Sequence, residues 1–331
     1  MAAPAIPSTF KAYQYENYGN PLEELKLRGN VDQPALEATQ VRIKVHSAAL
    51  NPVDYMLVEG FGRTVTGTAP SATNPFRIGF DAAGTVVEVG SSVSSGLKVG
   101  DAVYAMTPFS NFGTFAEYIN IDEKHVAIKP VNLSFNQAAS VPLAALTSYQ
   151  GLFDHAKLSQ GQRVLVLGGS SATGIFAVQI AKAVGAHVIT TTSSRNAEFV
   201  KSLGADQVVD YTSQKWVDVI DPHSIDVIYD CGMEPNSWND DAQTVLKKRT
   251  GQFVTLLPIT DPIESKFGAK WVNMMVHPLA AHLDVLTELI EAGKVITPID
   301  SVHPFENLVE GIKKLKTRRA VGKVVLQVAS E

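Results

Sequence analysis

The chain has 331 residues, of which 45% are hydrophobic and 18% charged, and a formal net charge of −5. That length exceeds what one core usually supports, so two domains are expected. The acidic balance argues against a nucleic-acid partner, which would meet a basic face, and no apolar run approaches the ~20 residues of a membrane span.

The N-terminal stretch MAAPAIPSTFKAYQY has neither signal- nor transit-peptide character, so a cytoplasmic location is expected. Residues 1–130 alternate in short runs broken by turns, with strands expected over 41–45, 82–89, 102–105 and 115–119: a β-rich domain. From about Phe135 the texture becomes strand, helix, strand. Apolar strands are expected at 164–167, 187–192, 226–229 and 252–257, with helical periods over 176–184 and 197–203 between them, the pattern of a doubly wound parallel sheet. After a helix ending at Gly293 the chain returns to prolines and short strands and finishes in 323–328. The class is α/β, with residues 131–293 forming one domain and 1–130 plus 294–331 the other. Lys313, Lys314, Lys316, Arg318 and Arg319 lie at helical spacing beside Leu315 and read as a solvated face.

The stretch 163–185, RVLVLGGSSATGIFAVQIAKAVG, carries the chemistry. A buried strand runs into a turn, Gly168 to Gly174, without one bulky side chain, and a helix from about Gly174 aims its positive end back at that turn. Gly169, Ser170, Ser171, Ala172, Thr173 and Gly174 could cradle a pyrophosphate. Gly169 and Gly174 fit the outer positions of G-x-G-x-x-G and Ser171 the middle one; a tight turn in some other α/β domain is the alternative.

The next strand, HVITTT, selects the cofactor. An NAD-binding unit ends this strand in an acid that takes both ribose hydroxyls. Here Thr192 is followed by Ser193, Ser194 and Arg195, donors suited to a 2′-phosphate, so NADPH is expected over NADH. Arg195 as a solvated charge at a helix start is the plainer reading. The single cysteine, Cys231, excludes an intrachain disulfide, a four-thiolate zinc site and a CxxC pair; it reads as buried filler near the cofactor end of the sheet. His46, in a strand, and His125, in a loop, read as structural or surface residues.

Asn51-Pro52-Val53-Asp54, Gly79-Phe80-Asp81-Ala82-Ala83-Gly84-Thr85-Val86, Val89-Gly90, Gly100-Asp101-Ala102-Val103-Tyr104, Phe115-Ala116-Glu117-Tyr118, Gln179-Ile180-Ala181-Lys182, Leu203-Gly204-Ala205-Asp206 and Gly322-Lys323-Val324-Val325 occur in this order along essentially the whole chain. This series resembles the medium-chain dehydrogenase/reductase superfamily, and within it the zinc-free quinone oxidoreductases related to ζ-crystallin and the NADPH-dependent alkenal and enone reductases. The resemblance implies a Rossmann domain inserted in a GroES-like catalytic domain, with the nicotinamide in the cleft between them, and a homodimer. It implies an NADPH-dependent quinone oxidoreductase or, alternatively, an alkenal/enone reductase; a non-catalytic NADPH-binding protein is the third possibility. Zinc members place a Cys where Asn51 stands and a His where Phe80 stands, so a metal-free reduction of a delocalising acceptor is implied.

The resemblance further assigns Asn51 to the cofactor ribose or the acceptor oxygen and Asp54 to loop order, and places Lys182 and Tyr211 with Ser194 and Arg195 at the 2′-phosphate. Cys231, Leu256 and Lys323 complete the expected cofactor contacts, and no metal is expected. Bacterial quinone reductases carry a Tyr and an Arg shortly after the Asp. This chain has Tyr55, Met56, Leu57 and Val58, giving with Phe61 an apolar acceptor mouth in which Tyr55 is the polar handle. No proton donor stands out, so solvent is the expected source.

Overall fold

The computed structural model describes residues 6–65, 67–110 and 112–330. The reading of the N-terminus as free of a targeting signal rests partly on residues 1–5, outside the described residues.

The chain opens with an antiparallel ribbon of β1 (Thr9–Gln14) and β2 (Lys26–Asp32). There follow β3 (Gln40–Leu50), β4 (Asp81–Val89), β5 (Ala102–Met106), β6 (Tyr118–Asp122) and β7 (Val126–Ile128). Period-two alternation decides which side chains of β3 are inside: Val41, Ile43 and Val45 are buried, in one cluster with Val86, Val103, Ile119 and Ile121. Beyond Ala48 both faces of β3 are buried, and a second cluster gathers Leu50, Val58, Phe76, Ile78 and Leu308.

Next come β8 (Arg163–Leu167), β9 (His187–Thr192), β10 (Gln207–Asp210), β11 (Val227–Asp230), β12 (Gln252–Thr255) and β13 (Lys270–Asn273). Among the described residues these make a six-stranded, wholly parallel sheet in the order β10-β9-β8-β11-β12-β13. The order reverses between β8 and β11, and in such sheets the crevice beyond the carboxyl ends of that pair takes the ligand. The central strands are apolar because both faces are covered, and Val164, Leu165, Val166 and Leu167 are fully buried. Finally β14 (Ile299–Pro304) and β15 (Lys323–Gln327) return to the first sheet, ordered β14-β15-β3-β4-β5-β7 with β6 on β3. The α/β class holds, with a GroES-like unit and a Rossmann-like parallel sheet.

The two compact units are Met1–Leu143 with Pro278–Glu291 and Thr297–Glu331, and Ala144–His277 with Ala292–Ile296. The boundaries expected at 130 and 294 therefore shift, for identifiable reasons. Asp81 Oδ1 accepts from the Leu143 N–H at 2.6 Å, Tyr104 Oη donates to the Leu283 carbonyl at 2.7 Å, and Glu291 Oε1 accepts from the Val131 N–H at 2.9 Å. These bonds tie 131–143 and the helix Ala280–Glu291 to the first unit. The strand expected over 115–119 begins only at Tyr118, since Phe115 turns into the core with its N–H on the Ile78 carbonyl. The strand expected over 252–257 stops at Thr255, leaving Leu256 just beyond its carboxyl end. The edge strand β13, KWVN, gave no signal because three of its four residues are exposed.

Candidate active site

The glycine turn behaves as its composition requires. Gly168 has φ +84°, and a Cβ there would lie 2.6 Å from the Gly232 Cα, so the ends of β8 and β11 can approach only with glycine. A Cβ on Gly174 would sit 2.2 Å from the Gly168 carbonyl oxygen. The helix Ala172–Ala183 starts two residues earlier than expected because Ser171 is its N-cap, its Oγ accepting from the Gly174 N–H at 3.0 Å. That leaves the N–H groups of Ala172 and Thr173 without an intrahelical acceptor. Among the described residues no other acceptor takes them. Open donors at the positive end of a twelve-residue helix suit a pyrophosphate. Ser170 braces the turn to the neighbouring strand, its Oγ accepting from Thr192 Oγ1 at 2.8 Å and from Asn196 Nδ2 at 3.2 Å.

The 2′-phosphate residues fall into two groups. β9 and β10 are parallel, with Asp210 paired to Thr192 and the Tyr211 N–H on the Thr192 carbonyl. Ser193, Ser194, Arg195 and Tyr211 thus emerge side by side at the carboxyl ends, with Ser194 and Arg195 exposed and Tyr211 59% exposed. Lys182 is not with them. It lies in the last turn of its helix, and its ammonium is 2.6 Å from Asp206, whose other carboxylate oxygen accepts from Val188 at the amino end of β9. Lys182 is therefore at the opposite end of the strands from Ser193, about 16 Å away along a strand of this length. Its cofactor role is withdrawn.

Cys231 stands directly after β11, its thiol donating to the Leu167 carbonyl at 3.1 Å, and burial pushes that thiol up to about 12. Ser171 Oγ lies 3.7 Å from its sulfur. Filler is the reading the site carries.

In the first unit the structure assembles a buried polar network. Lys323 Nζ, in a residue only 2% exposed, donates to Asn51 Oδ1 at 2.5 Å and Asp81 Oδ2 at 3.2 Å; Asn51 Nδ2 donates to the same Asp81 oxygen at 2.8 Å. Lys323 was expected at the cofactor, but its ammonium is committed to Asp81 and Asn51, and burial of both charges makes that pairing obligatory. Sequence reading gave Asp81 no role; the signal was an acid inside an apolar strand. Asp54 is also fully buried and closes the loop, accepting from the Asn51 N–H at 2.6 Å and the Gly79 N–H at 3.1 Å. Burial, helped by the nearby Asp81 charge, raises its carboxyl to about 8.

The mouth is smaller than expected. With Asp54 inside, helical phase puts Leu57 and Val58 inside too, and both are fully buried, Val58 among Phe76, Ile78 and Leu308. The Tyr55 ring lies against the same cluster beneath Lys316, whose Nζ is 5.1 Å from the ring centroid and 2.5 Å from Glu59. Met56 (37% exposed) and Phe61 (39%) stay at the surface. Phe80, where zinc relatives carry a histidine, is buried and meets the Phe109 ring edge-on at 4.8 Å. His46 Nε2 lies 3.1 Å from Thr85 Oγ1 with its ring stacked on Phe135, and His125 Nδ1 lies 3.0 Å from the Pro278 carbonyl. In the basic run, Lys313, Lys314 and Lys316 pair with Glu310, Asp300 and Glu59.

Residues 37–131 match the alcohol dehydrogenase GroES-like domain and residues 203–326 the zinc-binding dehydrogenase family. The chain is 39% identical over 332 residues to the 2-methylene-furan-3-one reductase of Solanum lycopersicum, covering 97% of this chain and 80% of that one. It belongs to the medium-chain dehydrogenase/reductases. Within that family it falls in the zinc-free group, with Asn51 and Phe80 at the two ligand positions. It is also 37% identical over 336 residues to the chloroplastic NADPH-dependent alkenal/one oxidoreductase of Arabidopsis thaliana, again over 97% and 80% of the two chains. Among solved structures it is similar to the quinone oxidoreductase from Coxiella burnetii, with a TM-score of 0.82 and 29% identity over 96% of this chain and 99% of that one. A medium-chain reductase of this group is a nicotinamide-dependent oxidoreductase. No helix among the described residues is long and apolar enough to cross a membrane. The Arabidopsis relative is chloroplastic, so the cytoplasmic location expected from the N-terminal stretch is not a property shared by its relatives.

Lys323→Met should lower stability by about 3–5 kcal/mol, because it leaves Asp81 buried and unpaired, and adding Asp81→Asn should recover part of the loss; denaturant melts of the intact chain measure both. Asp54, whose folded-state pKa is raised from 3.8 to about 8, binds more protons folded than unfolded between those values. Its contribution to stability is therefore fully present below the unfolded value and is lost as pH rises toward 8. Asp54→Asn should flatten that part of the pH–stability curve; an unchanged slope would count against a protonated Asp54.

Proposed function

We propose that this chain is an NADPH-dependent reductase of α,β-unsaturated carbonyl compounds. The observation that carries the reading is the acceptor-side turn after Asn51-Pro52-Val53-Asp54, where Met56 and Phe61 stand at the surface and no cationic side chain follows Asp54 before Arg63. The exposed apolar side chains of this turn suit an alkyl-bearing enone. Two relatives near 40% identity are named for enone or alkenal substrates, which supports the same reading. Quinone reduction is the second reading, favoured by the similarity to the Coxiella burnetii protein.

When bound, the cofactor supplies a hydride to the electron-poor carbon. The second unit's Ala172 and Thr173 N–H groups would hold the pyrophosphate, and Ser193, Ser194, Arg195 and Tyr211 the 2′-phosphate. In the first unit, Lys323 and Asp81 fix the Asn51 amide so that it cannot flip, with Oδ1 toward the ammonium and Nδ2 toward the carboxylate. Both N–H donors of Nδ2 are turned toward Asp81 and the Ala49 carbonyl, so what Asn51 retains for a ligand hydroxyl is an acceptor lone pair on Oδ1. Asp54 holds the Asn51 loop against Gly79 and so sets where that lone pair points. The proton that completes reduction comes from solvent in this reading. A homodimer paired through β13 fits that exposed edge strand, on which Trp271 lies at the surface.

NADPH consumption should be faster with a straight-chain alkenal or enone than with ortho- or para-quinones, and a quinone preference would move the protein to the second reading. Arg195→Ala should weaken NADPH binding about tenfold or more and leave NADH binding nearly unchanged, measured by fluorescence titration; equal loss of both would remove Arg195 from the 2′-phosphate site.

A further inference from the structure

The carboxyl end of β10 holds an acid that the NADPH reading leaves without a role. Asp210 pairs with Thr192, the residue immediately before the Ser193, Ser194 and Arg195 run, and it directly precedes Tyr211. Its Oδ1 accepts from the Thr212 N–H at 2.9 Å and from Thr212 Oγ1 at 2.6 Å. Asp210 is partly exposed, and hydrogen bonds from Thr212 hold it below the usual carboxylate range, so it is a fixed negative charge at neutral pH.

An NAD-selective unit places its acid at the end of β9, where it accepts from the ribose hydroxyls. Here the acid stands one strand over, about 5 Å away in the sheet, close enough to repel a 2′-phosphate.

We infer that Asp210 is a specificity-determining residue that restrains NADPH preference by like charge and so keeps the phosphate-free cofactor in competition. This rests on the assignment of Ser193, Ser194, Arg195 and Tyr211 to the 2′-phosphate. Asn is the informative replacement: its Oδ1 can keep the Thr212 bonds and the turn while the charge goes.

The test is calorimetric binding of two cofactor fragments, 2′,5′-ADP and 5′-AMP, to the intact wild-type chain and to Asp210→Asn, with thermal melts to establish that both are folded. Neither fragment reports on turnover. Asp210→Asn should tighten 2′,5′-ADP about fivefold and move 5′-AMP by less than twofold, with the gain shrinking as salt is raised. An equal change for both fragments, or weaker 2′,5′-ADP binding, overturns the inference; the latter would make Asp210 a brace that the phosphate needs. If wild type shows no preference for 2′,5′-ADP over 5′-AMP, the 2′-phosphate assignment fails first and the inference falls with it.

Discussion

One buried ammonium organises the first unit. Lys323 enters from β15, Asn51 closes β3 and Asp81 opens β4, so three neighbouring strands of one sheet are tied at their ends through a single charged group. Burying Lys323 and Asp81 costs more than an apolar pair would, and such arrangements persist where orientation matters more than net stability. What they orient here is the Asn51 amide, and through Asp54 the loop that carries it. A flexible surface asparagine would sample several rotamers; this one has a single hydrogen-bonding solution.

The second unit uses steric exclusion instead. Its turn is defined by where a Cβ cannot go: against Gly232 at Gly168 and against the Gly168 carbonyl at Gly174. Among the described residues no charged side chain bonds to the turn itself. The helix end brings a partial positive charge to it, with Ser171 spending its hydroxyl on capping. Precision from a salt-bridged network and precision from glycine packing are distinct solutions, and this chain uses one in each unit.

What was legible in the sequence follows the range of the interactions concerned. The glycine turn, its flanking strand and the donors after β9 could be read because their causes lie within a few residues. Lys182 and Lys323 could not, since their partners are 24 and 242 residues away in the chain, and a motif gives a residue's neighbours rather than the end of the sheet it occupies. Val58 is different. Once Asp54 is placed inside, the spacing of three and four residues carries Leu57 and Val58 inside as well, so the helical phase held the answer and a mouth drawn from consecutive residues ignored it. The domain boundaries shifted for a third reason: Tyr104 and Val131 bind a helix 150 residues or more downstream, which no local texture reports.

Soft electrophiles such as enones alkylate thiolates, and a reductase that acts on them, as proposed above, would be exposed to its own substrates. This chain has one sulfhydryl. It is buried after β11, donates to the Leu167 carbonyl, and is pushed up to about 12, so almost none of it is nucleophilic at neutral pH. The packing that makes Cys231 useless as a catalytic group is also what makes the protein chemically durable in the presence of Michael acceptors.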